Sequence, residues 1–262
     1  MDRFELDWET AAEEAARFIQ QRVEEAGRRR GVIGLSGGID SAVSAYLAAR
    51  ALGPSRVHAL MMPYSGSSSA SLEDAQAVVN DLDLPHEVID ITPMIDAYYQ
   101  RYPDAGRVRR ANKMARERMA ILYDQSERLG ALVIGTGNRT EALLGYTTLW
   151  GDMACAFNPI GDLYKTQVRR MAAHLGVPER IITKPPTADL WQGQTDEGEL
   201  GFSYDTADQI LSRLVDEGMT AEQVVAEGFD EEVVREVAGR LESSAFKRSM
   251  PPSPPLRDAA HA

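Results

Sequence analysis

Short apolar runs separated by longer amphipathic stretches organise most of the chain. Residues 31–35, 57–62, 87–91 and 131–135 are brief runs bounded by turn or polar residues, the pattern of buried strands. Between and around them, residues 8–29, 41–52, 71–82, 93–102 and 108–129 carry apolar residues at helical spacing. Ser71 is placed to cap the third of these helices. Further helices are predicted at 165–175, stopped by Gly176 and Pro178, and at 204–216 and 230–247. Residues 136–163 read as irregular and Gly-rich, and 183–202 as a long polar loop.

Strands alternating with helices predict an α/β fold: a doubly wound parallel sheet with helices on both faces, followed by a helical C-terminal segment. No repeat or linker interrupts the pattern, so one domain over 1–250 is expected, with a Pro-rich tail at 251–262. Ligands of such sheets sit beyond the carboxyl ends of the strands. The loop at 36–41 follows the first strand and "GTGNRTE" (135–141) follows the fourth, so both are expected to face one crevice.

Composition narrows the ligand. The formal net charge of −12 argues against a general nucleic-acid or anionic-membrane binder, since both need a broad basic face. The N-terminus is acidic and amphipathic, unlike a signal peptide, and no apolar run approaches the roughly 20 residues of a membrane helix. With one cysteine, Cys155, neither an intramolecular disulfide nor a Cys-rich zinc site can form, and a cytoplasmic location is expected. The four histidines are scattered without partner spacing for zinc or a catalytic triad.

The chemistry concentrates in "GLSGGIDSAV" (34–43). Ser36, Gly37 and Gly38 let backbone N–H groups converge on an anion, and the following helix adds its positive end. The loop lacks the Gly-Lys-Ser/Thr ending of the common P-loop and carries Asp40 instead. A carboxylate beside phosphate oxygens makes sense as a magnesium ligand. The bland alternative is a Gly-rich turn with Asp40 as a helix cap. Glu141, beyond the fourth strand, can meet Asp40 across the crevice; alone, it would read as a first-turn helix acid. Lys165 opens a helix, where a cation is disfavoured unless a phosphate is near or solvent carries it.

"SGGIDS" (36–41) resembles the motif of the ATP pyrophosphatase superfamily, whose members cleave ATP between the α and β phosphates. "ANKMARERM" (111–119), "GTGNRTEALLGY" (135–146), "GDMA" (151–154), "PIGDLYKTQV" (159–168), "KPPTADLWQGQTDEGELGFSYD" (184–205) and "FKRSMPP" (246–252) extend the resemblance to the ammonia-dependent NAD synthetases, in that family's order. The resemblance implies that Gly34, Leu35, Ser36, Gly37, Gly38, Ile39, Asp40 and Ser41 wrap the ATP phosphates, and that Thr136, Lys165 and Thr187 also contact ATP. It implies Mg²⁺ on Asp40 and Glu141, with Asp40, Glu141 and Lys165 as the catalytic set. Arg116, with Phe246 and Lys247 from the C-terminal end, would contact the dinucleotide acid, deamido-NAD.

Two positions depart from the family pattern. Leu149 stands where a lysine is common and Ala156 where an aspartate is common, both among the implied deamido-NAD positions. The resemblance further implies a homodimer using ATP, deamido-NAD and ammonia. Ammonia rather than glutamine is expected because neither a glutaminase domain nor its usual nucleophile is evident, although a separate glutaminase could deliver it. The 183–202 loop is expected to close over the site. A related amide ligase for another acid, or a non-catalytic nucleotide-binding module, are the competing readings.

Overall fold

The computed structural model describes residues 3–187, 189, 191 and 193–254. Its elements run α1 (Trp8–Glu25), β1 (Arg30–Gly34), α2 (Ile39–Leu52), β2 (Val57–Met61), α3 (Ser69–Leu82), β3 (His86–Val88), α4 (Thr92–Tyr99), α5 (Arg107–Leu129), β4 (Ala131–Ile134), α6 (Arg139–Leu144) and α7 (Lys165–Leu175). There follow α8 (Glu179–Ile182), α9 (Asp196–Leu200), α10 (Tyr204–Leu211), α11 (Ala221–Ala226) and α12 (Glu231–Ser243). A π-helical turn, Ser212–Asp216, continues α10, and a 3-10 turn, Ala245–Arg248, follows α12.

The four strands form one parallel sheet in the order β3-β2-β1-β4. Because side chains alternate along a strand, each strand feeds two cores. Ile33, Ala59, Met61 and Ile134 pack with α1, α2, α3 and α7 on one face. Val32, Leu60 and Val133 pack with Ile95 and Tyr99 of α4 and Met114, Met119 and Leu122 of α5 on the other. This is the expected doubly wound α/β architecture. The Ala-rich α2 is enclosed between the sheet, α1, α3 and α7: Ala42, Ala45, Leu47 and Ala48 are wholly buried.

A third cluster carries the C-terminal segment. Leu144 of α6, Tyr204, Ala207, Ile210 and Leu211 of α10, Val224 of α11 and Val234 and Val237 of α12 bury one another with Phe4 and Tyr164. Tyr204 is fully buried, and filling a site of that size contributes on the order of 2–3 kcal/mol.

Besides the single-turn α8, which no sequence pattern predicted, three helices differ from the expectation. The 136–163 stretch, expected to be irregular, contains α6; the expected 183–202 loop contains α9; and α11 was not anticipated. All three are one or two turns long, too short for hydrophobic periodicity to register. They are set by caps instead. Asn138 and Glu141 form a reciprocal capping box on α6, Thr220 and Gln223 one on α11, and Thr195 accepts from Gly198 N at 3.3 Å on α9. Each then buries an apolar residue, Leu144, Val224 and Leu200 respectively. The Pro-rich tail expected at 251–262 is exposed over 251–254, and residues 255–262 lie outside the described residues.

Candidate active site

The loop after β1 is built for a backbone that side chains must not crowd. Gly37 has φ +77°, and a β-carbon there would run into the backbone of Ser71 at the start of α3. Ser36 and Ser41 brace the loop from within. Ser41 Oγ donates to Gly38 O at 2.9 Å, and Ser36 Oγ accepts from Gly38 N at 3.3 Å. Gly38 is the N-cap of α2 and has no side chain to satisfy the first-turn N–H groups. Those donors and the helix dipole therefore point at the crevice, where an anion is favoured. Gly34 ends β1, while Leu35 and Ile39 are buried and orient the loop without facing solvent.

Asp40, one residue into α2, meets the elements that follow β4. Its Oδ1 accepts from Asn138 Nδ2 at 2.8 Å and its Oδ2 from Lys165 Nζ at 2.5 Å. Lys165 also donates to Glu141 Oε1 at 3.3 Å. The catalytic set expected from the sequence, Asp40, Glu141 and Lys165, is thus brought into direct contact. Glu141 lies at the third position of α6 rather than in the loop before it, so its dipole-favoured placement and its place in the crevice hold together.

Lys165 is 2% exposed and its ammonium lies 5.0 Å from the centre of the Tyr204 ring. Burial opposes its charge, but Asp40 and then Glu141 outweigh that, raising its pKa above the ordinary lysine range. For Glu141, burial and then Asp40 push the carboxyl up to about 8. One ammonium serving two acids leaves the group short of positive charge. Asp196, held by the hydroxyls of Tyr204 at 3.1 Å and Tyr146 at 3.2 Å, adds a further buried acid to the same field.

Sequence reasoning passed over the residues that hold this group in place. Asn138 is fully buried; it caps α6 and binds Asp40, so it ties α2 to α6. Its signal was present as Asn-x-x-Glu, a capping box. Asp208 of α10, also fully buried, accepts from Thr140 Oγ1 at 2.5 Å, Thr166 N at 2.8 Å and Thr166 Oγ1 at 2.7 Å. Thr140 Oγ1 in turn accepts from Lys165 N at 2.9 Å. Asp208 therefore pins the N-terminal turns of α6 and α7, which carry Glu141 and Lys165. Nothing local in the sequence marks it, because its partners lie 42 and 68 residues away.

The remaining expected residues are spread more widely. Thr136 lies between β4 and α6, beside Gly137, whose N–H donates to Asn158 Oδ1 at 3.2 Å. Thr187 Oγ1 accepts from Asp189 N at 3.0 Å, and the Asp189 carboxylate accepts from Ser68 N, so this segment is laid against the start of α3. Arg116 is exposed on α5, its Nε donating to Leu149 O at 3.1 Å. Leu149 is part-buried; Ala156 is exposed, and its N–H donates to Val133 O at 3.1 Å. Lys247 Nζ donates to Gly145 O at 2.8 Å and Thr147 O at 2.9 Å, while Phe246 is 63% exposed. Arg116 and Lys247 thus both bond to main-chain carbonyls of one loop, 145–149.

Side chains that converge beyond β1 and β4 put the chain among the α/β enzymes that work at the carboxyl edge of a parallel sheet. The NAD synthase family model matches residues 11–251, and the chain belongs to that family. An NH(3)-dependent NAD(+) synthetase of Trichlorobacter lovleyi is 49% identical over 251 residues, covering 96% of this chain and 92% of its own. Among solved structures, the NH3-dependent NAD synthetase of Campylobacter jejuni superposes with a TM-score of 0.81 at 37% identity, covering 95% of this chain and all of that one. An NMN synthetase of Francisella tularensis superposes at 0.86 with 30% identity, covering 96% of this chain.

Proposed function

We propose that this protein is a ligase that converts deamido-NAD to NAD with ATP and ammonia. One observation carries the reading beyond family membership: Asp40, Glu141 and Lys165 make direct contact beside the Ser36–Ser41 loop. The nicotinate carboxylate attacks the α-phosphorus of ATP, and the bond to the β-phosphate breaks to release pyrophosphate. Ammonia then attacks the carbonyl of the acyl adenylate, loses a proton and expels AMP. Adenylation is needed because a free carboxylate has no adequate leaving group.

The side chains suit this task without a protein nucleophile. The backbone N–H groups at 36–41 hold the departing pyrophosphate, and Lys165 neutralises charge that develops on it. The donor set also fits Mg²⁺. Two carboxylates share one lysine, burial raises the Glu141 pKa, and hard oxygens are what magnesium takes. Among the described residues no group of three or more acids, His or Cys is arranged to hold a metal, so phosphate oxygens would complete the shell. Asp40 and Glu141 would hold the ion, which supplies charge neutralisation on the phosphates.

Arg116, Phe246, Lys247 and the 145–149 loop border the acid substrate in this reading, and Thr136 and Thr187 border ATP. A homodimer is part of it, supported by the exposed apolar residues Met94 and Tyr98 of α4, Tyr102 of the turn that follows it and Val108 of α5. So is a cytoplasmic location, supported by the single free cysteine; no helix of the described residues is long and apolar enough to cross a membrane. Sedimentation at several concentrations tests the dimer.

The deciding assay incubates the protein with Mg-ATP, ammonium and deamido-NAD and follows NAD, AMP and pyrophosphate. NAD with equimolar AMP is expected. ADP as product removes the mechanism. Nicotinate mononucleotide belongs in a parallel tube, because one solved neighbour is an NMN synthetase and Leu149 and Ala156 alter the acid side. Faster amidation of the mononucleotide would reassign the acid while keeping the chemistry.

A further inference from the structure

A second cation stands on the other side of the phosphate loop. Lys165 approaches from the β4 side and is neutralised by Asp40 and Glu141. Arg118 of α5, a helix that packs on β1 and β4, reaches over to the β2 side, its Nε donating to Met62 O at 3.0 Å, just past the end of β2. No carboxylate among the described residues lies within ion-pair distance of its guanidinium. Asp189 is the acid that acts on it electrostatically, but the Asp189 carboxylate is already engaged by Ser68 N at 3.0 Å. Arg118 is part-buried, and desolvation pushes it down to about 10, so it stays charged at neutral pH with no ion-pair partner among the described residues.

Its height relative to the loop follows from the helix. A β-carbon on Gly34, the last residue of β1, would sit 3.6 Å from Leu122 Cδ1 and 3.4 Å from Met62 Cε. The chain enters β4 from α5 through Gly130 alone, so α5 runs antiparallel to the strands. Arg118 precedes Leu122 by one turn. It is therefore displaced by about 6 Å beyond Gly34 toward the carboxyl edge, level with the loop that follows.

We propose that Arg118 is an anion-binding residue of this site, seated to hold the phosphate on the adenosine side of the nucleotide. The loop at 36–41 lies between the two cations. The end of a polyphosphate nearer Asp40 and Glu141 is the end that shares the metal ligands, so the α-phosphate falls toward Arg118. The guanidinium's remaining N–H donors suit two oxygens of one phosphate. During adenylation this is the phosphate that gains a carboxylate oxygen and loses the pyrophosphate oxygen. Arg116, two residues earlier, points instead at the 145–149 loop, so the "RER" of α5 divides between two substrates.

This inference rests on the nucleotide half of the proposed function, not on which acid is amidated. The test compares the wild-type chain with Arg118→Met and Arg118→Lys. It measures thermal stabilisation and calorimetric binding with AMP and, separately, with magnesium pyrophosphate. Arg118→Met should weaken AMP binding by roughly 10- to 100-fold and raise the KM for ATP, with pyrophosphate binding unchanged. Arg118→Lys should recover part of the AMP affinity. Unaltered AMP binding in the Lys variant and in any folded Met variant, whatever their melting temperatures, would make Arg118 a strut for Met62 and overturn the proposal. Equal loss of AMP and pyrophosphate affinity would overturn the assignment to the adenosine side. Failure of wild-type protein to form NAD, with AMP binding still dependent on Arg118, would break the reading of the acid and leave the inference standing.

Discussion

The two halves of the crevice are held in different ways. Around the phosphate loop, functional side chains bond to one another and to fully buried partners: Asp40 to Asn138 and Lys165, and Lys165 through its backbone to Thr140 and so to Asp208. On the side proposed for the acid substrate, Arg116 and Lys247 bond to main-chain carbonyls of the 145–149 loop, and Phe246 is open to solvent. A carbonyl accepts from any donor that reaches it, whereas a buried carboxylate shared by three donors admits little substitution. The first half is rigidly held, as the proposed phosphate and metal chemistry requires. The second can change its residues and keep its backbone, which is where Leu149 and Ala156 depart from the family pattern.

The largest expected effect breaks the first half at its centre. Lys165→Met leaves Asp40 and Glu141 facing each other without their shared cation. Turnover should fall by roughly 10³-fold or more, the scale on which loss of a preorganised charge acts. Asp40→Ala and Glu141→Ala should do the same, with the magnesium requirement moved to higher concentration. Steady-state assays across a magnesium series decide; turnover that survives either acid variant would show that the metal assignment is wrong.

Asp208→Asn comes next. Asparagine keeps the volume but turns one acceptor into a donor, so either Thr140 Oγ1 or the Thr166 pair loses its partner. The cost is about 1–3 kcal/mol of stability. If Asp208 positions the site, kcat falls roughly 10- to 100-fold while the KM for deamido-NAD stays within a few-fold, because small displacements of Glu141 and Lys165 weaken chemistry first. A purely structural residue would lower the melting temperature alone. Melting curves and the kcat-against-KM split separate the two.

The contrast between halves also explains what was legible. The α/β order and both loops of the crevice could be read because they sit at strand and helix boundaries marked by local pattern, whereas Asp40, Glu141 and Lys165 were joined as a set by the family resemblance. Asn138 was readable in principle, as the first member of a four-residue cap. The contacts of Asp208 and Arg118 were not, since they depend on which distant segments the fold places beside them. The short helices α6, α9 and α11 escaped for another reason: caps and one buried residue each decide them, and neither produces a periodic signal. Lys247 was expected over the substrate; the structure holds it on the carbonyls of Gly145 and Thr147.

On the acid side the effects should be smaller and fall on KM. Arg116→Ala removes both a cation and the brace on Leu149 O. A rise of roughly 10-fold in the KM for deamido-NAD is expected, with the KM for ATP unchanged. Leu149→Lys restores a cation beside an anionic substrate and should lower that KM by a few-fold, since a partly solvated charge contributes little. Initial rates at saturating ATP measure both. No change in Leu149→Lys would mean that neighbouring donors already serve the carboxylate.

The smallest effect probes the charge deficit of the first half without substrate. Glu141 has a pKa raised to about 8, so the folded protein holds a proton there that the unfolded chain releases near 4.5. Stability from this group is therefore complete below about pH 4.5 and is lost as pH rises toward 8. Asp196 and Asp208, also raised by burial, act in the same sense, while His58, lowered by burial, acts in the opposite sense around its own titration. Lys165 titrates above this window. The melting temperature of the free protein should accordingly fall from pH 5 to 8, and Glu141→Gln should fall less steeply, because the amide keeps the uncharged form at every pH. Magnesium and ATP should flatten the wild-type curve toward that of the variant, since added positive charge makes the ionised carboxylate the favoured form. Parallel wild-type and Glu141→Gln curves would mean that Lys165 alone satisfies both acids, and the contrast between a charge-starved phosphate half and a relaxed acid half would lose its electrostatic basis.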